Sequence, residues 1–386
     1  MSTFDCDVLV IGAGPAGSAT AAALARAGRD VMLVEARRHP RPKACAEYAS
    51  PRIVEELARL GLGGDAWRRY AVALDGMHVV RDTQRVPITY RDGDGPRTAW
   101  GLDRLGFDAL LAEHAVASGA RLLDRTRLER LTDGVAVLRT TDDSVHVRYR
   151  WLVGADGARS RVARQLGVER PVRAPRRLGM VAHYEGLPDL VTHGEMHVGS
   201  GAYIGLAPTP GGELNVGMAL PLAATTGAAL RFDAAIAALP AVAHRLAGRR
   251  RLTPIRGVAP IGHRVAATAG ADWLLVGDAA GFVDPFTGEG IYRALRSARA
   301  AASALAAGDH GAGQRYRSAR IAAFAAKDSL TWLVQGMLAA PPLLGYTLRR
   351  LERRPDAAAA LGAALGDCRP ATTALSPRFL ASVLLP

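Results

Sequence analysis

Val8-Leu9-Val10-Ile11-Gly12-Ala13-Gly14-Pro15-Ala16-Gly17 lies near the start of a chain of 386 residues, and its order decides the fold: an apolar strand runs into a Gly-x-Gly-x-x-Gly turn. Gly12 permits the tight turn after the strand, Gly14 lets backbone amides approach a diphosphate, and Gly17 lets the next helix pack close to the sheet. The Ala-rich stretch from Ser18 to Ala27 predicts that helix, ending at Gly28, with N-terminal amides and a dipole that favour negative charge. Val31 to Val34 reads as a second strand, ending in Glu35 and Ala36. An acid in that place can accept hydrogen bonds from ribose hydroxyls, so the whole segment predicts a dinucleotide site.

A second segment far along the chain completes the first. Trp273-Leu274-Leu275-Val276-Gly277-Asp278 is another apolar strand closed by a carboxylate. The two glycine-marked segments together read as halves of one flavin site, and the expected cofactor is FAD.

Composition agrees with an enzyme of two lobes. Hydrophobic residues make up 49% and charged residues 22% of the chain, an ordinary globular balance. The formal charge of +13 comes almost wholly from arginine, since Lys43 and Lys327 are the only lysines. These arginines are dispersed, with short clusters only at Arg249 to Arg251 and Arg349 to Arg354, and no nucleic-acid motif accompanies them. The charge is read as composition bias, with attraction of anionic cofactors or membrane surfaces as the lesser reading. Cys6, Cys45 and Cys368 are too few and scattered for a disulfide framework or a metal cluster, so no metal is expected. No basic region followed by a cleavable apolar stretch is visible at the start, and the expected location is cytoplasmic. Ser329 to Leu348 is mostly apolar, but Pro341-Pro342 and Gln335 interrupt it. A helix over the substrate pocket is the first reading of that segment and shallow peripheral membrane contact the second.

The organisation predicted is interleaved. Pro51 to Leu62 and Arg104 to Ser118 read as helices; Met77 to Val80 and Arg85 to Tyr90 read as strands before a turn at Asp92-Gly93-Asp94-Gly95-Pro96. Short strands follow at Arg121 to Leu123, Val135 to Thr140 and Val145 to Arg150, then Trp151-Leu152-Val153-Gly154-Ala155-Asp156-Gly157 as a further strand ending in an acid and a glycine. Leu178 to Leu220 is strand-like, with a hairpin at Pro210-Gly211-Gly212, and Ala-rich helical patterns dominate from Ala280 onward.

The order of Gly-x-Gly-x-x-Gly, Glu35, Arg104 at a helix start, Gly154-Ala155-Asp156-Gly157 and Gly277-Asp278 resembles the p-hydroxybenzoate hydroxylase-type flavoproteins. The run Pro40-Arg41-Pro42-Lys43-Ala44-Cys45 with Ser50-Pro51 is most similar to the geranylgeranyl reductase branch and its near relatives. The resemblance implies an α/β fold in which a Rossmann-like FAD-binding domain (1–70, 101–170 and 270–320) is interleaved with a mixed β-sheet substrate domain (71–100 and 171–269). A C-terminal helical segment, 321–386, follows.

The same resemblance implies roles residue by residue. Gly12, Gly14, Pro15, Ala16, Gly17, Glu35 and Ala36 would bind the adenosine diphosphate half of FAD, with Arg104 contacting the cofactor from its helix. Asp156 would lie near the diphosphate, where NADPH or NADH approaches as a transient reductant; Asp-Gly as a plain turn pair is the alternative. Gly277 and Asp278 would meet the ribityl chain, while Pro285, Gly288 and Gly290 would bring helix-start amides to the flavin pyrimidine edge. Cys45 and Tyr203 are the catalytic candidates, Cys45 being weighed against an inert buried thiol. His183, His193 and His197 show no metal-ligand spacing and read as pocket or surface histidines.

Ala202-Tyr203-Ile204-Gly205-Leu206-Ala207-Pro208 departs from the prenyl reductases, which carry large aromatics where this chain has Gly205 and Ala207. A wider pocket and a resemblance to polyketide-pathway hydroxylases point to a small hydrophobic or aromatic substrate. The first expectation is therefore an NAD(P)H-consuming monooxygenase that hydroxylates an aromatic or polyketide-like molecule through a flavin C4a-hydroperoxide. The alternative is a flavin-dependent reductase that saturates carbon-carbon double bonds of a prenyl or other hydrophobic substrate.

Overall fold

A computed structural model describes residues 3–132, 134–222 and 227–384. Thr3–Ile11 forms the central strand of a seven-stranded sheet, and Val8, Leu9 and Val10 are wholly enclosed within it. It pairs in parallel with Val31–Val34 on one side and Ser144–Gly154 on the other. Arg121–Leu123 extends the sheet in parallel beyond Val31–Val34, and Trp273–Leu275 pairs in parallel with the end of Ser144–Gly154. Buried parallel strands have both faces covered, and their continuous apolar sequence follows from that. The antiparallel meander of Arg127–Thr132 and Val135–Arg139 closes the other edge.

The stretches predicted as two strands at Val145 to Arg150 and Trp151 to Gly154 are one eleven-residue strand, Ser144–Gly154. Its first half alternates in the meander and its second half is continuously apolar in the parallel core, so one strand carries two hydrophobic patterns.

Helices cover this sheet. α1 (Pro15–Arg26) begins with the last residues of the glycine turn, three residues earlier than the Ala-rich run suggests, because proline at its first position is preset for helix. α2 (Ile53–Leu60) and α3 (Arg104–Ala117) follow, with Asp103 capping α3 through the amides of Leu105 and Gly106. α4 (Arg161–Gln165) is a short turn capped by Ser160.

The second lobe is an eight-stranded sheet, to which Gly76–Arg81 and Gln84–Asp92 contribute from one part of the chain and Arg177–Glu185, His193–Val198, Tyr203–Thr209 and Glu213–Pro221 from another. One face packs Met180, Ala182, Val216 and Met218 beneath α5 (Ala228–Ala237) and α6 (Pro240–Leu246). Tyr203, Ala207 and Ala219 belong instead to an apolar cluster with Phe286, Leu338 and Leu344.

The remainder is helical. α7 (Gly290–Ala306) packs on α1, and α8 (Ala312–Ala339) runs on into the segment flagged as apolar. Pro341 ends that run by starting α9 (Pro341–Glu352), and α10 (Pro355–Leu365) and α11 (Pro377–Leu384) complete the chain. Among the described residues no helix is long and apolar enough to cross a membrane. The architecture is a mixed α/β fold of the p-hydroxybenzoate hydroxylase type.

Candidate active site

Register brings the motifs together. Ile11 pairs with Val34 and with Gly154, and Gly154 pairs with Leu275, so four parallel strands end at one level. Gly12, Glu35, Asp156 and Asp278 all follow those carboxyl ends, where α/β sheets open a ligand crevice. Gly12 has φ +107° and lies so close to the Ala155 backbone that a side chain would collide with it. A Cβ on Gly17 would overlap the Gly12 carbonyl oxygen. At Gly14 an added Cβ meets nothing within 4 Å. The first bond of α1 runs from Ser18 N to Gly14 O at 2.9 Å, and the amides ahead of it have no preceding turn to pair with.

Glu35 is only 3% exposed, and its carboxylate holds three donors: Ala13 N at 3.2 Å, Arg37 N at 3.1 Å and Arg41 Nε at 2.8 Å. A carboxylate offers about four acceptor positions, which leaves room for a hydroxyl. The chain after Ala36 lies along the groove: His39 Nε2 meets Ala13 O at 3.1 Å, and Lys43 Nζ is 3.5 Å from Asp278 Oδ2. Gly277 N donates to Ser297 Oγ at 2.9 Å, tying the second glycine segment to α7. Pro285 leads a short 3₁₀ turn through Thr287; Gly288, at φ +69°, packs on the Tyr48 ring, and Gly290 begins α7 with open space at its Cβ position.

FAD fits these residues. The groove carries open space over two long-helix starts, at Gly14 for a diphosphate and at Gly290 for the pyrimidine edge of a flavin, while Glu35 and Asp278 each close one of the parallel strands that end there.

Asp156 borders the glycine turn, its Cα 3.0 Å from where a Cβ on Gly12 would stand, and its side chain also serves the next helix. Its carboxylate takes Ser160 Oγ at 2.5 Å, Arg161 N at 2.6 Å and Val162 N at 3.1 Å, which caps α4. Burial nevertheless raises its pKa against those donors. Arg104 is buried at the start of α3 and makes a two-pronged pair with Asp108, at 2.8 and 2.7 Å. Burial opposes its charge, but Asp108 and the adjacent Cys45 thiol outweigh that and hold its pKa well above the usual range. Arg104 therefore bears on the catalytic candidate Cys45 directly. The Arg-x-x-x-Asp spacing was visible in the sequence as an i,i+4 pair.

Tyr203 donates its hydroxyl to Asp284 Oδ1 at 2.6 Å. Asp284 also holds Phe286 N at 3.0 Å and pairs with Arg177, which reaches Gln335 of α8. Burial, then Asp284, push the Tyr203 pKa far up. Its proton is thus committed to Asp284, just before the Pro285 turn.

The three histidines part company. His197 meets the buried Glu195 at 2.8 Å, and His193 lies beside His78 with ring centres 4.8 Å apart. His183 reaches across to the other lobe: its Nε2 is 2.7 Å from Glu47 Oε2. Asn215, the cross-strand partner of His183, donates through Nδ2 to the same Glu47 oxygen and to Cys45 O, both at 3.0 Å. Glu47 and Asn215 were not singled out from the sequence.

Gly205 and Gly217 pair across neighbouring strands. Ala46 presses on Gly217, with 3.0 Å between its Cβ and an added one there, whereas Gly205 would place a Cβ at an ordinary 3.5 Å from Met196 Cε. A cavity of about 720 Å³ is lined by Asp284, Thr287, Glu289 and Gly290 of the turn into α7 together with Phe282 and Trp332.

Comparison with known proteins agrees with this geometry. The model of a family described as FAD binding domain matches residues 5–320. A menaquinone reductase of Mycolicibacterium smegmatis is 34% identical over 316 residues, covering 78% of this chain and 76% of that protein. A digeranylgeranylglycerophospholipid reductase of Methanosarcina mazei is 31% identical over 330 residues, again covering 78% and 76%. Among solved structures, a geranylgeranyl bacteriochlorophyll reductase-like protein of Thermoplasma acidophilum superposes with a TM-score of 0.79 at 21% identity, over 99% of this chain and 97% of that one.

Proposed function

The chain belongs to the FAD binding domain family, and from that premise we propose that it is a reductase that saturates a carbon-carbon double bond in an isoprenoid or comparably apolar substrate. It is a FAD-dependent oxidoreductase. The observation that carries the finer reading is the naming of both relatives, at 31% identity or above, as reductases, of a menaquinone and of a digeranylgeranyl lipid. This replaces hydroxylation as the first reading. The apolar cluster of Met77, Val79, Met196, Ala207, Phe286 and Leu338 supports it, because it sets the Pro285 turn against oily side chains from the sheet and α8.

Bound FAD supplies hydride transfer, with NADPH or NADH as the proposed source of reducing equivalents. The chain's own part is to hold, orient and exclude water. The α1 start and Glu35 hold the adenosine diphosphate, and Asp278 with Lys43 beside it closes on the ribityl region. The α7 start presents amides and the positive end of a dipole to the pyrimidine edge, which favours negative charge there. Phe286 and Tyr203, at 5.1 Å in an edge-to-face pair, set apolar surface at the Pro285 turn.

Anaerobic reduction of the yellow protein with NADPH or NADH, followed by a prenylated quinone in detergent, is expected to yield a saturated product without oxygen. Its side chain is two hydrogens heavier after the ring has been returned to the quinone, which separates saturation of the double bond from reduction of the ring to a quinol. Oxygen-dependent hydroxylation of a phenol, with no saturation, would overturn the reading. One observation bears on that second reading: the side chain that an added Cβ at Gly205 would meet is the flexible Met196, at 3.5 Å, so bulk at this position is set by glycine and methionine. Gly205→Trp is accordingly expected to leave FAD binding intact and to cut turnover of broad substrates by about tenfold more than that of linear isoprenoids, measured as kcat/KM. An equal loss on both would show that position 205 does not line the substrate site.

A further inference from the structure

Glu47 has φ +58°, a left-handed conformation that a residue with a side chain adopts only at an energetic cost. Such strain persists where surrounding contacts insist on it. Here they do: Glu47 is only 6% exposed, its Oε2 takes His183 Nε2 at 2.7 Å and Asn215 Nδ2 at 3.0 Å, and its N–H donates to Cys45 Sγ at 3.3 Å. Leu102 N donates to its carbonyl at 2.8 Å. The bonds from Asn215 and His183 come from the far lobe, so the strained residue joins the two halves of the molecule.

Its place along the groove is set by its neighbours. Lys43, four residues before, meets Asp278, and Tyr48, the residue after, packs on Gly288 of the turn that leads into α7. Along the chain Glu47 thus falls between the residue that meets Asp278 and the residue that packs on the turn into α7.

We propose that Glu47 and His183 form the proton-holding pair of the reaction, fixed by Asn215; the proposal rests on the double-bond-reductase reading above. Hydride from the reduced cofactor forms a C–H bond at one carbon of the double bond, and the π electron pair is left on its neighbour. That pair forms the second C–H bond with a proton from the Glu47–His183 couple, handed from His183 Nε2 to the Glu47 carboxylate and on to carbon. The couple passes from carboxylate with imidazolium to carboxylate with neutral imidazole, and solvent restores the proton. Cys45 and Tyr203 are less suited: the thiol already accepts the Glu47 amide, and the phenol is tied to Asp284.

The surroundings favour a charged His183. The hydrogen bond to Glu47 raises its pKa first, burial opposes, and Glu213 and Arg256 add a rise and a fall. Thr253 Oγ1 lies 3.4 Å from its Nδ1.

Two measurements on the full FAD-loaded chain test this. In nitrogen-15 histidine NMR titration, His183 is expected to keep its proton to higher pH than an ordinary histidine and to lose that excess in Glu47→Gln. Ordinary titration of His183, or no change in Glu47→Gln, overturns the pair whatever the substrate proves to be. In single turnover, His183→Gln is expected to slow saturation of the side-chain double bond of the prenylated quinone, read by mass after the ring is returned to the quinone, by about 10²–10⁴-fold. Nicotinamide-driven flavin reduction is expected to change by less than about threefold, and Asn215→Ala to give an intermediate loss with a shifted pH profile. Equal slowing of both half-reactions overturns the proton role and leaves a structural one. If the wild-type chain saturates no double bond, the functional reading fails by itself, and the NMR titration still decides whether the pair holds a proton.

Discussion

Gly14→Val is expected to yield a folded, colourless protein. An added side chain at this position meets nothing of the protein within 4 Å, so the fold has no reason to reject it. The space it fills is the one above the first amides of α1, where a diphosphate would be held. Affinity for FAD is expected to fall by at least about 100-fold, since the lost contacts are charge-assisted hydrogen bonds worth about 1.5–3 kcal/mol each. Thermal unfolding of the apoprotein is expected to match wild type within a degree or two. Gly17→Val provides the contrast: its Cβ would overlap the Gly12 carbonyl oxygen, so loss of soluble folded protein is expected. Flavin fluorescence titration and circular dichroism on the two variants separate cofactor loss from misfolding. Retained yellow colour in Gly14→Val would refute the placing of the diphosphate.

This contrast also marks what could be read from sequence. The glycine turn, Glu35 and Gly277-Asp278 announce themselves because each sits directly after an apolar strand, and strand ends in a parallel sheet converge by geometry. The fold class followed from their order. Glu47 gives no such signal. Its partners His183 and Asn215 lie 136 and 168 residues away, and only the register of two strands in the other lobe puts them side by side. The backbone strain at Glu47 is equally silent in sequence, since glutamate is not a residue that advertises a left-handed turn. Asp156 was legible by its motif, and what the motif did not tell is that its carboxylate also caps a five-residue helix. The choice between hydroxylation and double-bond reduction was drawn from Gly205 and Ala207, two small residues that say where bulk is absent but not what fills the space.

Lys327→Met is expected to cost about 3–5 kcal/mol of stability, the usual penalty for stripping one partner from a buried charge cluster. Lys327 is one of two lysines in the chain and only 4% exposed. From the middle of α8 its ammonium donates to Ala364 O at 2.8 Å and Leu365 O at 2.7 Å, the last carbonyls of α10, where positive charge also suits the helix dipole. It lies 3.0 Å from Asp367 Oδ1 and 3.8 Å from Glu289 Oε2, and neither Asp367 Oδ2 nor Glu289 Oε2 has a hydrogen bond. Glu289 immediately precedes α7, so one cation ties the C-terminal helices to the turn at the pyrimidine edge. Its loss would leave two buried acids near each other with Arg293, at 3.8 Å from Glu289, as the remaining cation paired with them among the described residues. Burial, assisted by Glu289 and opposed by Lys327, pushes the Asp367 pKa up to about 6. An acid raised in the folded state holds a proton that the unfolded chain has released, so stability falls as pH rises from the ordinary aspartate range through about 6. Asp367→Asn is expected to flatten the urea-unfolding profile across that window, and Lys327→Met to steepen it. A flat wild-type profile, or a Lys327→Met loss under about 1 kcal/mol, would show that the cluster is solvated and that the C-terminal helices dock without it.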